Sequence, residues 1–282
     1  IIIFSCTLFL IISIVSLLIL KNINNYNDII DTLPLSNEDK DEGINFDISY
    51  IDIGKIGLNY SSDDKLKVII EKNLKKYTYD LRNDGVNEYY PLQMGDGIYS
   101  VKLFRNIEGD FYNELLSKDV ALELLWSNIV YQNSIQEINW NDKSYVVTMA
   151  DELTEGVEDE FDKIKKIYNY IVENLKYDDY KIADIKPGYI PDNDKILNEK
   201  KGICYDFASL YASMLRSQGI PAKLVKGYAD GIYNYHAWNE VYIKKLNIWI
   251  IQDLTYDIQV RELGIKYCIM KNPAKYHKMK EY

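Results

Sequence analysis

The chain has 282 residues with 33 basic and 43 acidic side chains, which gives a net charge of −10 and a pI near 4.9. With 47 % hydrophobic and 27 % charged residues the composition is globular, and 6 prolines and 14 glycines exclude a collagen-like or linker-dominated architecture. The acidic balance argues against nucleic acid as a main partner, because neutralising phosphates needs lysine and arginine in excess on one face.

Residues 1–20 carry no charged side chain, and their polar ones are Ser5, Thr7, Ser13 and Ser16. A helix of that length rises about 30 Å, enough to cross the hydrocarbon core. The stretch therefore reads as a transmembrane or signal anchor. Cys6 lies inside it, with a long uncharged run after it, so it does not fit a lipidated cysteine. No small-x-small signal precedes Lys21, which favours an uncleaved anchor; a cleaved leader would give a secreted body. Between residues 21 and 54 the basic residues are Lys21 and Lys40, so the body is expected outside the cell. The body holds Cys204 and Cys268, which is no disulfide framework.

Residues 21–45 are polar and read as a tether. Residues 46–125 read as a β-rich domain, a small sandwich of short strands. Leu66, Val68 and Ile70 alternate there, as do Tyr77, Tyr79 and Leu81, then Tyr99, Val101 and Leu103. Asn83-Asp84-Gly85 and Gly95-Asp96-Gly97 are turn signals between such runs. Asp119–Leu122 would open a last strand. This region shows no catalytic constellation. Residues 126–153 give mixed signals and read as a connector. Residues 154–282 then hold the chemistry. Phe161, Ile164, Tyr168, Ile171 and Leu175 form one apolar stripe of a helix, with Glu158, Asp159 and Glu160 near its start. Lys186–Pro191 is a loop.

Gly202-Ile203-Cys204-Tyr205-Asp206-Phe207-Ala208 opens a second helix, whose stripe is Phe207, Leu210, Tyr211, Met214 and Leu215. Gly219 caps it and Pro221 prevents its continuation. Cys204 thus sits at a helix N-terminus, with Gly202 allowing close approach of backbone to a ligand. Free N–H groups and the helix dipole there stabilise a thiolate and could bind a developing oxyanion. A lone cysteine at a helix start also serves as a small buried apolar residue, so the position gains meaning only with a base. The chain has two histidines. His277, in Lys275–Lys280, reads as a solvated residue of a basic tail. His236 lies at the start of the strand 235–243, and after a turn at 244–247 a second strand runs from Ile248 to Leu254. If Ile243 pairs with Ile248, His236 faces Thr255 and Asp253 faces Trp238. His236 and Asp253 then project from one face as diagonal neighbours. A carboxylate there can orient the imidazole and stabilise the imidazolium. An odd turn would separate them and bring Glu240 or Asp257 into consideration.

These blocks resemble the transglutaminase-like superfamily in its bacterial and archaeal branch: Gly202-x-Cys204-x-Asp206-Phe207-Ala208, Gly219-Ile220-Pro221-Ala222, Gly227-Tyr228, His236-Ala237-Trp238-Asn239-Glu240-Val241, Trp249, and Asp253-Leu254-Thr255. The resemblance covers about residues 155–258. It implies an α+β, papain-like core in which a cysteine on a helix N-terminus packs on an antiparallel sheet carrying histidine and aspartate. It also implies Cys204 as nucleophile, His236 as general base and acid, and Asp253 as orienting carboxylate. Animal members bind the oxyanion with a tryptophan upstream of the cysteine; Tyr177 is the candidate equivalent here, beside the Cys204 backbone N–H. The implied activity is that of a protein-glutamine γ-glutamyltransferase: thiolate attack on an amide, with the thioester resolved by a protein amine. The alternatives are a cysteine peptidase or amidase of the same fold, in which water resolves the thioester, and an inert cell-surface binding module. The partners implied are a protein or peptide bearing an amide, a protein amine as acceptor, and the membrane through residues 1–20. No cofactor is expected. Asp192-Asn193-Asp194 is too short for a calcium loop, two distant histidines do not suggest a catalytic zinc, and neither a Gly-x-Ser-x-Gly elbow nor a phosphate loop is present. Trp238 could form one wall of the acceptor cleft, or pack in the core.

Overall fold

The structure is a computed structural model that describes residues 43–82 and 84–282. The anchor read at 1–20 and most of the tether lie outside the described residues. Among the described residues no helix is long and apolar enough to cross a membrane.

Residues 45–122 are β-structure. Strands β1 (Asn45–Asp47), β2 (Lys55–Asn59), β3 (Leu66–Lys72), β4 (Lys75–Leu81), β5 (Glu88–Pro91), β6 (Gly97–Glu108) and β7 (Phe111–Leu122) form two antiparallel sheets, ordered β1-β2-β5 and β4-β3-β6-β7. The alternation expected from the sequence is the one that buries. Leu66, Val68, Ile70, Tyr79, Leu81, Tyr99, Val101 and Leu103 all face a core, while Tyr77 is half-buried. Asp119–Leu122 do not open a strand. They end β7, because the β6–β7 ladder runs from Glu108↔Phe111 to Gly97↔Leu122. The buried side chains of these sheets join those of the helical part in one continuous cluster.

Within the stretch read as a connector, residues 145–154 form α1 (Tyr145–Thr154), which packs on the cysteine-bearing helix. Next comes α2 (Glu160–Asn174), which carries the predicted stripe with Ile164, Tyr168 and Ile171 buried. It starts where it does because the Asp159 carboxylate caps it, accepting from the N–H groups of Phe161 and Asp162 at 2.9 and 3.1 Å. Strand β8 (Lys176–Tyr177), α3 (Lys181–Asp184), α4 (Asn193–Glu199) and β9 (Lys201–Gly202) lead into α5 (Cys204–Ser217), which is buried from Asp206 to Arg216. Gly219 ends α5 at φ +71°, a left-handed conformation that suits glycine.

Strands β10 (Ala222–Ala229), β11 (Ile232–Ile243), β12 (Ile248–Gln252) and β13 (Tyr276–Glu281) make an antiparallel sheet ordered β12-β11-β10-β13 that packs against α5, and α6 (Leu254–Glu262) follows β12. The basic tail read at 275–280 is therefore largely an edge strand. Its lysines suit that place, because charged side chains keep an exposed edge from pairing further. Buried Arg216 fastens the sheet to α5: it donates to the carbonyls of Ala222, Asn133 and Tyr282 at 2.7–2.8 Å.

Candidate active site

The N-terminus of α5 is built by a carboxylate. β8 and β9 pair in parallel, with Tyr177 opposite Gly202, and Asp178 N–H donates to the Gly202 carbonyl at 2.8 Å. The chain then turns into the helix at Ile203. Asp206, fully buried in the first turn, accepts from Ile203 N–H at 2.9 Å, from Lys181 Nζ at 2.5 Å and from the Tyr189 hydroxyl at 2.6 Å. A Cβ at Gly202 would lie 2.8 Å from the Asp206 Cβ. Gly202 thus makes room for Asp206, and not for a ligand as its place in the sequence suggested. These bonds fix the first residue of α5, Cys204, whose thiol is free and half-buried.

The structure brings His236 to that thiol. The ring is 5 % exposed, and the Cys204 side chain lies close enough to act on its basicity. Its Nε2 lies 2.9 Å from Asp253 Oδ2, so Nδ1 is the nitrogen left for sulfur. Burial alone would make the imidazole less basic. The hydrogen bond that the ring donates to Asp253 and the neighbouring Cys204, and then the charges of both, outweigh burial and push the pKa up to about 10.

The β11–β12 register is the expected one, with Ile243 opposite Ile248 and Asn239 opposite Gln252. The second strand is shorter than expected. It ends at Gln252, and Leu254 and Thr255 begin α6, so Thr255 does not face His236. The reason is Asp253 itself, whose Oδ1 caps α6 by accepting from Tyr256 N–H at 3.0 Å. One carboxylate starts a helix with one oxygen and meets the imidazole with the other. The two alternative acids are occupied elsewhere: Glu240 with Lys278 at 2.9 Å, and Asp257 with Tyr168 and Lys271.

Tyr177 is half-buried beside the site. Burial, followed by the charges of Cys204, Asp179 and Asp206, raises its hydroxyl pKa to about 12, so it remains a donor. The Cys204 N–H heads α5, where first-turn N–H groups lack intrahelical partners. Trp238 is no cleft wall: it is 1 % exposed and packs with Val225, Ile251 and Tyr276. His277 and Cys268 are exposed, and His277 faces Asp230 at 3.2 Å. Sequence reasoning missed Tyr276, whose hydroxyl donates to Asp253 Oδ2 at 3.0 Å. It also missed Lys226, which lies 3.6 Å over the ring of Tyr205, next to the cysteine. Burial lowers the Lys226 pKa to about 8. Both belong to strands of the sheet that carries His236, but their spacing from the motif residues is not one a motif reads.

Comparison with known proteins places this site in context. Residues 147–254 match the family model of the transglutaminase-like superfamily core. The uncharacterized protein YebA of Bacillus subtilis (strain 168) is 33 % identical over 120 residues, which is 34 % of this chain and 16 % of that protein, so the chain spans about one sixth of that relative's length. Among solved structures, a candidate cysteine protease from Cytophaga hutchinsonii is similar over 81 % of this chain and 79 % of its own, at 15 % identity and a TM-score of 0.43. The red sea bream transglutaminase is similar over 71 % of this chain and 48 % of its own, at 11 % identity and a TM-score of 0.29.

Proposed function

We propose that the chain, whose residues 147–254 match the transglutaminase-like superfamily core, is a cysteine acyltransferase that works through Cys204, His236 and Asp253. The observation that carries this reading is a single one: a nearly buried imidazole placed between a helix-terminal thiol and a helix-capping carboxylate. Proton transfer from Cys204 to His236 gives a thiolate and an imidazolium, and Asp253 steadies the latter. The thiolate attacks the amide carbonyl of a glutamine side chain, and the carbonyl π electrons move to oxygen. The Cys204 N–H, with Tyr177 as a second donor, faces that oxyanion. The imidazolium then protonates the leaving nitrogen, ammonia departs, and a thioester remains. A protein amine, deprotonated by His236, displaces the thiolate and forms an isopeptide bond.

Mass spectrometry of a glutamine peptide incubated with the full chain and a labelled primary amine tests this. Transamidated product is the expected result. Deamidated product alone, at saturating amine, would make the protein an amidase or peptidase of the same chemistry. If glutamine peptides and main-chain amides both stay intact, the protein is a binding module. The reading includes an exported body anchored through residues 1–20, on the strength of their uncharged composition. Protease added to intact cells should then digest the body.

A further inference from the structure

We infer that Tyr276 is a positioning residue of this centre: its hydroxyl holds the Asp253 carboxylate in the orientation that presents Oδ2 to the His236 ring. The inference rests on the reading of Cys204, His236 and Asp253 as a triad. It concerns a residue beyond residue 254, where the match to the family ends.

A carboxylate turns about a broad terminal torsion, so a lone contact with an imidazole does not fix its plane. Here three donors from three elements do. His236 on β11 and Tyr276 on β13 both reach Oδ2, at 2.9 and 3.0 Å, while Tyr256 N–H on α6 holds Oδ1 at 3.0 Å. The Tyr276 ring is itself placed. It meets Trp238 edge-on at 5.1 Å, and Trp238 stacks with His236 at 6.2 Å between ring centres, so the phenol and the imidazole share contact with one indole. Its backbone is fixed by the β10–β13 pairing, where Tyr276 lies opposite Ala229, and by the bond from Asp230 N–H to the Lys275 carbonyl at 2.9 Å. Burial, then the charge of Asp253, keep the phenol from ionising, so it stays a donor across the working pH range. The other charged and titratable groups around the pair are Cys204, and Asp257 with its partners Lys271 and Tyr168; Tyr256 also lies close to Tyr276.

The bond has a second effect. A hydroxyl that donates to Oδ2 takes up part of its negative charge and leaves the carboxylate a weaker acceptor for the imidazolium. Without it, the ring should hold its proton more tightly while the carboxylate turns more freely. Tyr276→Phe keeps the ring and removes only the donor.

The chain has two histidines, so ring-proton NMR of the histidine-labelled full chain reads His236 directly, with exposed His277 as internal reference. In Tyr276→Phe the His236 titration midpoint should rise by about half a unit, and kcat should fall about tenfold with KM within about twofold. Site-specific 3-fluorotyrosine at 276 keeps the shape and strengthens the donor, so it should move the midpoint down. In an Asp253→Asn background Tyr276→Phe should change neither quantity, because the route runs through the carboxylate. A midpoint that moves in neither variant overturns the inference, even if turnover falls, since packing alone would then explain the loss. A midpoint shift that persists in the Asp253→Asn background overturns it too. If no amide is turned over at all, the functional reading fails, while the ring titration still decides the role of Tyr276.

Discussion

Two buried carboxylates flank Cys204, and they use nearly the same set of donors for different ends. Asp206, in the first turn of α5, takes a main-chain N–H, a tyrosine hydroxyl and the ammonium of Lys181. Asp253, at the cap of α6, takes a main-chain N–H, a tyrosine hydroxyl and the imidazole of His236. Both are 0 % exposed, and both set where a helix begins. The third donor separates them. Through the Lys181 ammonium and the Tyr189 hydroxyl, Asp206 anchors the segment from Lys181 to Tyr189 to the first turn of the nucleophile's helix. An imidazole beside a thiol can take up a proton and return it, so the same arrangement around Asp253 serves proton transfer. A buried carboxylate with satisfied bonds is thus no sign of catalysis by itself; the titratable partner is.

The comparison breaks first at the nucleophile. Cys204→Ala should lower amide turnover on the order of 10⁶-fold with the fold intact, measured as ammonia release; activity within tenfold of wild type would remove Cys204 from the chemistry. Cys268→Ala, at an exposed free thiol, should leave turnover unchanged.

His236→Ala should abolish turnover and His277→Ala should not. It should also change stability with a definite sign. Folding raises the His236 pKa from an ordinary 6.5 to about 10, so its stabilising contribution is complete below the lower value and is lost as pH rises towards the upper one. The Tm of wild type should therefore fall from pH 6.5 to 10 more steeply than that of His236→Ala; parallel curves would mean that the imidazole is not held as described.

The two carboxylates can then be set against each other. Asp253→Asn should cost about 10²–10⁴ in kcat, since the ring keeps its place but loses the group that fixes its tautomer. Asp206→Asn should act mainly on stability, by about 2 kcal/mol, because it strips a charged acceptor from Lys181, Tyr189 and Ile203 N–H. Differential scanning calorimetry beside kinetics separates them. The assignment fails if Asp206→Asn proves the worse catalyst at an unchanged Tm.

How much of this the sequence carried depended on whether the information was local. The helix starts were legible, because an apolar stripe follows closely on the acidic run Glu158–Glu160 in one helix and on Gly202-Ile203-Cys204 in the other. The meeting of His236 and Asp253 was legible because a four-residue turn fixes register over a short ladder. The early end of β12 was not, since Asp253 reads equally as strand or cap until its Oδ1 bond is known. The role of Gly202 and the place of Tyr276 were hidden for a related reason. The first depends on where the Asp206 side chain folds back, and the second on a strand that joins β10 from across the sheet. The strand Tyr276–Glu281, with two lysines and a histidine among its six residues, looks like a charged tail until an edge is there to receive it.

The central claim is that Cys204 is activated by His236, and the rate of its alkylation by iodoacetamide in the full chain tests this without any substrate. Peptide mass spectrometry can follow Cys204 and Cys268 in the same tube from pH 5 to 9. The account predicts that Cys204 reacts faster than Cys268 at pH 6–7 despite its deeper position, and that His236→Ala removes the difference. Equal rates for the two cysteines, or a Cys204 advantage that survives His236→Ala, would contradict it.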